Sequence, residues 1–276
     1  MVRVVTDSTA DLSAELVQRY HIRVVPFPVH HDGRTYRDGV DIDAPALYRL
    51  VEQTGRLPKT AAPPIPEYVA AFDGPGEVIF TGLSSALSAG FQNATLAAQA
   101  FPAGKVHLID SRNLSTGTGL LVLRAAELRD QGCPAGEIER ELLDMVPRVR
   151  CSFVVDTLRY IHMGGRCSAV ESIVGSMLRI RPVIGVQPDG SLGVVQKLRG
   201  TRRRALQTLV DDFAAHLPEI DRRRIFVSHS CSEDVEWVAG EVRRIAAPDE
   251  LLVTQAGCTI SSHCGPDTTG ILYLVR

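Results

Sequence analysis

The chain has 276 residues, 45% of them hydrophobic and 22% charged, which is the make-up of a water-soluble globular protein of one large or two modest domains. A net charge of −2 gives the whole chain no electrostatic case for nucleic acid, and no run of 18 apolar residues offers a membrane-spanning helix. The opening Met-Val-Arg-Val-Val runs straight into a strand pattern, so a cytoplasmic protein is expected. In that setting the six cysteines, none in a CxxC pair, read as free thiols.

Residues 3–5 read as a first strand and 6–9 as a polar turn, and Ser13 is placed to cap a helix over 14–20. Residues 21–29 are extended, broken by Pro26 and Pro28, and Asp32-Gly33 marks a turn. A helix over 45–53 ends at Gly55, a proline-rich loop over 56–66 holds Thr60, and a short helix covers 67–72. Residues 78–80 form a buried strand. Three serines follow it, Ser84, Ser85 and Ser88, and a helical pattern then runs to about residue 100 with Ser88 one turn inside it. A strand over 106–110 and helices over 116–129 and 134–146 complete the first half.

After Arg150 a second set begins. It has a strand over 152–156, a turn at Met163-Gly-Gly-Arg166, a helix over 170–178, and strands 181–187 and 192–198 flanking the hairpin signal Pro188-Asp-Gly190. A helix over 205–217, a strand over 225–229, a helix over 232–245 and a strand over 251–255 follow. The segments 258–263 and 271–275 read as a closing strand pair, with His263 at a strand end. Alternating strands and helices predict two α/β domains, residues 1–150 and 151–276, the first with a mainly parallel sheet and the second with a mixed one.

Four constellations bear on chemistry. Thr60 and the serines 84, 85 and 88 offer hydroxyl donors near a helix start, where an anion is favoured, although turn formation and capping explain Ser84 and Ser85 equally well. His263 precedes a Gly265-Pro266 turn and is either a ligand-facing or a structural histidine. Gly164-Gly165-Arg166 permits close backbone approach beside a cation. Lys197-Leu-Arg199-Gly-Thr-Arg202-Arg203-Arg204 is a basic helix entry, either a solvated face or a docking patch. No phosphate loop, GxGxxG turn, GxSxG elbow or HExxH pair occurs, and no acids carry metal-ligand spacing, so neither a cofactor nor a metal is expected.

In this order the segments Val5-Thr-Asp-Ser-Thr-Ala-Asp-Leu12, Tyr36-Arg-Asp-Gly39, Lys59-Thr-Ala61, Ser84-Ser-Ala-Leu-Ser88, Phe153-Val-Val-Asp-Thr-Leu158, Gly164-Gly-Arg166, Lys197-Leu-Arg-Gly200 and His263-Cys-Gly-Pro266 resemble the DegV family of bacterial fatty-acid-binding proteins over essentially the whole chain. The resemblance implies an acyl chain in a tunnel between or within the two domains. It also implies a carrier role, in which a separate fatty acid kinase phosphorylates the bound carboxylate to an acyl-phosphate that enters phospholipid synthesis. Thr60, Ser88 and His263, with Ser85 nearby, would contact the carboxylate of a C14–C18 acid, Arg166 would support them, and Arg199, Arg202 and Arg203 would face the kinase.

The chain departs from the family pattern at Ala61-Ala62, at Ala89, and at Asp267-Thr268, which sets an acid near the implied site. The competing reading is a phosphotransferase or hydrolase with His263 as base and Ser84, Ser85 or Ser88 as nucleophile, which lacks an evident third triad member. Neither nucleic acid nor stable membrane insertion is expected.

Overall fold

A computed structural model describes residues 2–167 and 180–276, so the helix expected over 170–178 lies outside the described residues. The first half runs β1 (Val2–Asp7), α1 (Ala14–Arg19), β2 (Arg23–Val25), β3 (Pro28–His31), β4 (Arg34–Arg37), α2 (Ala44–Thr54), β5 (Lys59–Thr60), α3 (Ile65–Phe72), β6 (Glu77–Gly82), α4 (Gly90–Ala98), β7 (Val106–Asp110), α5 (Thr116–Asp130) and α6 (Ala135–Met145). The second runs β8 (Val149–Val154), α7 (Leu158–Gly164), β9 (Ile180–Val186), β10 (Leu192–Arg199), α8 (Arg202–Ala215), β11 (Ile220–Ser230), α9 (Val235–Ala246), β12 (Glu250–Gln255), α10 (Cys258–Cys264) and β13 (Thr268–Val275).

Strands β2-β1-β6-β7 form a wholly parallel sheet, in which Val4 pairs with Ile79 and Val5 with Phe80. Parallel strands are covered on both faces, and alternation shows it. Val5, Val78 and Phe80 pack under α3 and α4, whereas Val4 and Ile79 join the cluster containing α5 and α6. Phe80 is fully buried, with the rings of Tyr68 and Phe72 each 5.5 Å away and edge-on. Phe80→Ala is expected to cost about 3–5 kcal/mol through the cavity it leaves, read as a lowered midpoint in urea unfolding at unchanged slope.

The second sheet, ordered β10-β9-β8-β13-β11-β12, is mixed: β11 and β12 are parallel and the other neighbours antiparallel. One face carries α8 and α9, through Leu206, Leu209, Phe213, Val238 and Val242. The other face contributes Cys151, Phe153, Phe226 and Leu272 to the same cluster as α5. Helix α5 is therefore held between the two sheets, which is why its residues are buried on nearly every side.

A small antiparallel sheet, β4-β3-β5, turns at Asp32-Gly33 and pairs Val29 with Thr60. The expected closing strand pair is not formed. Residues Cys258–Cys264 are helix α10, and β13 instead runs antiparallel between β8 and β11. Among the described residues no helix is long and apolar enough to cross a membrane.

Candidate functional site

Thr60 and His263 are 203 residues apart in sequence and meet in space. Strand β5 hangs from β3 by the Val29–Thr60 pairing, and α10 presents His263 from its last turn. Thr60 Oγ1 lies 2.7 Å from His263 Nε2. The other ring nitrogen, Nδ1, is buried without a partner among the described residues, and Gly164 of α7 packs so closely on it that any Cβ there would collide with the ring. This gives the Gly164-Gly165-Arg166 turn a physical role. Gly164 leaves room for the imidazole, and Gly165 closes α7 at φ 66, where a residue with a side chain is strained.

Burial, and secondly the nearby charge of Arg166, pull the His263 pKa down to about 4, so the imidazole is neutral at neutral pH. A neutral ring carries one N–H. Placing it on Nε2 leaves only a lone pair unpaired at Nδ1, whereas the other tautomer would bury an N–H with no acceptor, the rarer and costlier arrangement. Nε2–H then donates to Thr60 Oγ1, and the Thr60 hydroxyl proton remains available to a ligand oxygen.

The three serines separate. Ser88 precedes α4 rather than lying one turn inside it. Its Oγ accepts from the Gly90 amide at 3.1 Å, and it lines the same cavity as Thr60 and His263. Ser84 is fully buried and donates to the Gly190 carbonyl at 2.9 Å, so it clasps the β9–β10 hairpin tip. Ser85 is exposed, donates to Asp110 at 2.6 Å, and is not among the residues lining the cavity.

The cavity encloses about 200 Å³. Its polar end holds Thr60, Ser88, His263 and Arg166, and its walls are apolar, from Phe27, Leu83, Leu114, Phe153, Leu192 and Ile260. A second cavity of about 40 Å³ continues it, sharing Leu114, Phe153, Ile260 and Cys264. At the polar end it abuts an open depression of about 1010 Å³ that also touches Thr60, Arg166 and His263, with Arg56, Lys59 and Arg159 on its walls. The apolar lining residues come from separate segments of both halves. No local pattern in the sequence distinguishes them from ordinary core, and sequence reasoning did not find them.

Arg166 is exposed at the cavity's polar end and donates to the Gly164 carbonyl at 2.5 Å. Arg199 ends β10, opposite Ile180. Arg202 is half-buried, 3.1 Å from Asp234 and 2.8 Å from Asp267, and also donates to Ser232. The unusual acid Asp267 is thereby paired with Arg202. Arg203 stacks over the Trp237 ring at 3.4 Å from its centroid. Among the described residues no group of three His, Cys, Asp or Glu side chains is arranged to hold a metal.

A family model described as an uncharacterised protein of the DegV family matches residues 1–276. A DegV domain-containing protein of Caldanaerobacter subterraneus is 31% identical over 99% of this chain and 98% of its own length. The structure of a fatty-acid-binding DegV family protein from Thermus thermophilus superposes with a TM-score of 0.92 at 31% identity, covering 100% of this chain and 99% of that one. That of DegV from Bacillus subtilis, described as a fatty acid binding protein, gives 0.86 at 30% identity, covering 100% and 99%.

Proposed function

The chain belongs to the DegV family, and from that premise we propose that it binds a C14–C18 fatty acid and presents the carboxylate to a separate fatty acid kinase. The kinase would convert the acid to an acyl-phosphate that feeds phospholipid synthesis. The observation that carries this reading is the pairing of Thr60 with a neutral His263, beside Ser88, at the polar end of an otherwise apolar cavity.

The energetics suit a carrier. Burying fourteen methylenes is worth on the order of 10 kcal/mol before the cost of ordering the chain, at about 0.8 kcal/mol each. The tail follows the line from the larger cavity past Leu114, Phe153 and Ile260 into the smaller one. At about 200 Å³ the larger cavity is below the usual size of a ligand pocket, roughly 300–1,000 Å³. A long tail therefore requires the side chains between the two cavities to rotate.

The head group meets hydroxyl donors and, at the rim, Arg166, and among the described residues there is no buried two-pronged arginine clasp. A carboxylate held this way keeps lone pairs free to attack a phosphoryl donor. The kinase would approach over the face bearing Arg199 and Arg203. Arg202 would act from beneath, because Asp234 and Asp267 already engage it. Hydrolysis by the protein itself is disfavoured by the ring packing of His263. A serine–histidine–acid relay needs an acceptor on the second ring nitrogen, and Gly164 occupies that side.

Native mass spectrometry after incubation with mixed C10–C18 acids is expected to show one bound acid per chain, with the long acids retained. Protein that remains empty after such loading would refute the reading. Added fatty acid kinase and ATP are expected to give a hydroxylamine-reactive product only when both are present. Turnover of an ester or phosphoester by the pure protein would point instead to the hydrolase.

A further inference from the structure

Helix α10 carries His263 at its C-terminal end but has no capping side chain of its own at its start, where Gly257 is the cap residue. The free amides of such a helix start need acceptors. Here they find them across the fold: Asp38 accepts from the Cys258 amide at 2.7 Å and the Thr259 amide at 3.0 Å, and Asp11 accepts from the Gly257 amide at 2.8 Å. Both acids are buried, at 2% and 6% exposure. Gly257 has no side chain for a steric reason as well, since a Cβ there would sit 2.9 Å from Asp38 Oδ1 and 3.2 Å from Asp11 Oδ1.

Asp38 is itself fixed to the layer that carries Thr60. It follows β4 directly, and β4 and β5 both pair with β3. Its amide donates to the Phe27 carbonyl at 2.9 Å. Ser8 donates to its second oxygen at 3.0 Å and accepts from the Phe27 amide at 3.0 Å. Asp11 is anchored by the Ser115 hydroxyl at 2.6 Å. Thus Thr60 stands on one side of Asp38, through the small sheet, and His263 on the other, through α10.

We propose that Asp38, assisted by Asp11, is a positioning residue of the head-group site, setting the separation of Thr60 and His263 by clamping the start of α10 to the β3–β4–β5 sheet. Asp38 lines neither cavity, and it acts through the placement of α10, whose His263 stands at the polar end. This rests on the reading that Thr60 and His263 hold the carboxylate. It gives the Asp-containing segments at Asp11 and Asp38, which the ligand site itself leaves unused, a defined task.

Asp38→Asn turns one acceptor oxygen into a donor facing the α10 amides, at nearly unchanged volume. Affinity for palmitate is expected to fall roughly tenfold, the scale of a lost hydrogen bond to a charged group. The double variant with His263→Ala should bind only slightly worse than His263→Ala alone, because the larger part of both changes acts through one imidazole. The decisive readout is the ring of His263, followed by ¹H–¹³C NMR and assigned by the signal missing in His263→Gln. In the unliganded wild type it should titrate at about 4, and in Asp38→Asn at least one pH unit higher, as α10 loosens and water reaches the ring.

An unchanged His263 titration in Asp38→Asn, or losses that multiply in the double variant, would overturn the proposal. If Asp38→Asn does not fold, Ser8→Ala removes only the hydroxyl behind Asp38 and is read by the same titration, with a smaller shift in the same direction. No shift there overturns the proposal equally. Wild-type protein that never takes up palmitate would defeat the head-group reading, while the unliganded NMR titration would still decide whether Asp38 places His263.

Discussion

Thr60→Val is expected to weaken palmitate binding about ten- to hundredfold, the equivalent of roughly 1–3 kcal/mol for a lost hydrogen bond to a buried group. The substitution exchanges a hydroxyl for a methyl at nearly constant volume, so the cavity keeps its shape. What changes is the polar end. The Thr60 hydroxyl is the partner of His263 Nε2, at 2.7 Å, while Nδ1 has none among the described residues. With valine in place the imidazole loses its Thr60 partner in a half-buried pocket, and the ligand loses the donor that the threonine offered. Competition of palmitate against a fluorescent fatty acid measures the change. Ser88→Ala should cost less, since it removes one donor to the ligand and leaves the Thr60–His263 pair intact. An unaltered affinity in Thr60→Val would show that the head group sits elsewhere.

The parallel sheet was legible chiefly through β1 and β6, each of which carries a short apolar run followed by a turn signal. Strand β6 is buried from Val78 to Gly82, and the serine turn follows as the sequence suggested. Helix α2 was bounded by its own residues: Asp43 caps it, and Gly55 ends it at φ 68. Helix α10 was not legible, for a reason that can be named. Thr259 and Ile260 are β-branched and favour a strand locally, and the groups that cap the helix, Asp38 and Asp11, lie more than 200 residues away. Ser85 shows the opposite limit. It stands beside Ser84 and Ser88 in the sequence, but Asp110 draws its hydroxyl outward. Spacing singled out the turn and could not say which hydroxyl faces the cavity.

The acid limb of the stability curve should contain two opposing contributions of similar size, separable by substitution. His263 has its pKa lowered to about 4 by burial, against about 6.5 in an unfolded chain. Between those values the unfolded state binds the proton more tightly, so this contribution is intact above about pH 6.5 and is lost as pH falls towards 4, by about 3 kcal/mol in all. Asp7 behaves in the opposite sense. Burial raises its pKa to about 6, outweighing the hydrogen bonds from Thr9 and the Leu83 amide. The folded state then holds the proton more tightly between about 3.9 and 6, so stability falls as pH rises through that window, again by about 3 kcal/mol. Buried Asp11, whose pKa is also pushed up by burial, adds to the slope of Asp7.

In wild type the slope of His263 therefore offsets that of Asp7 between pH 4 and 6, and each single substitution should shift the profile in the opposite sense. Relative to wild type, His263→Gln should be about 2–3 kcal/mol better off at pH 4.5 than at pH 7, and Asp7→Asn better off at pH 7 than at pH 4.5 by a similar amount. Urea unfolding at the two pH values gives both differences. Curves for His263→Gln and wild type that run parallel across this range would mean that the imidazole is not held neutral by the fold, and the neutral donor assigned to Thr60 would have to be abandoned with it.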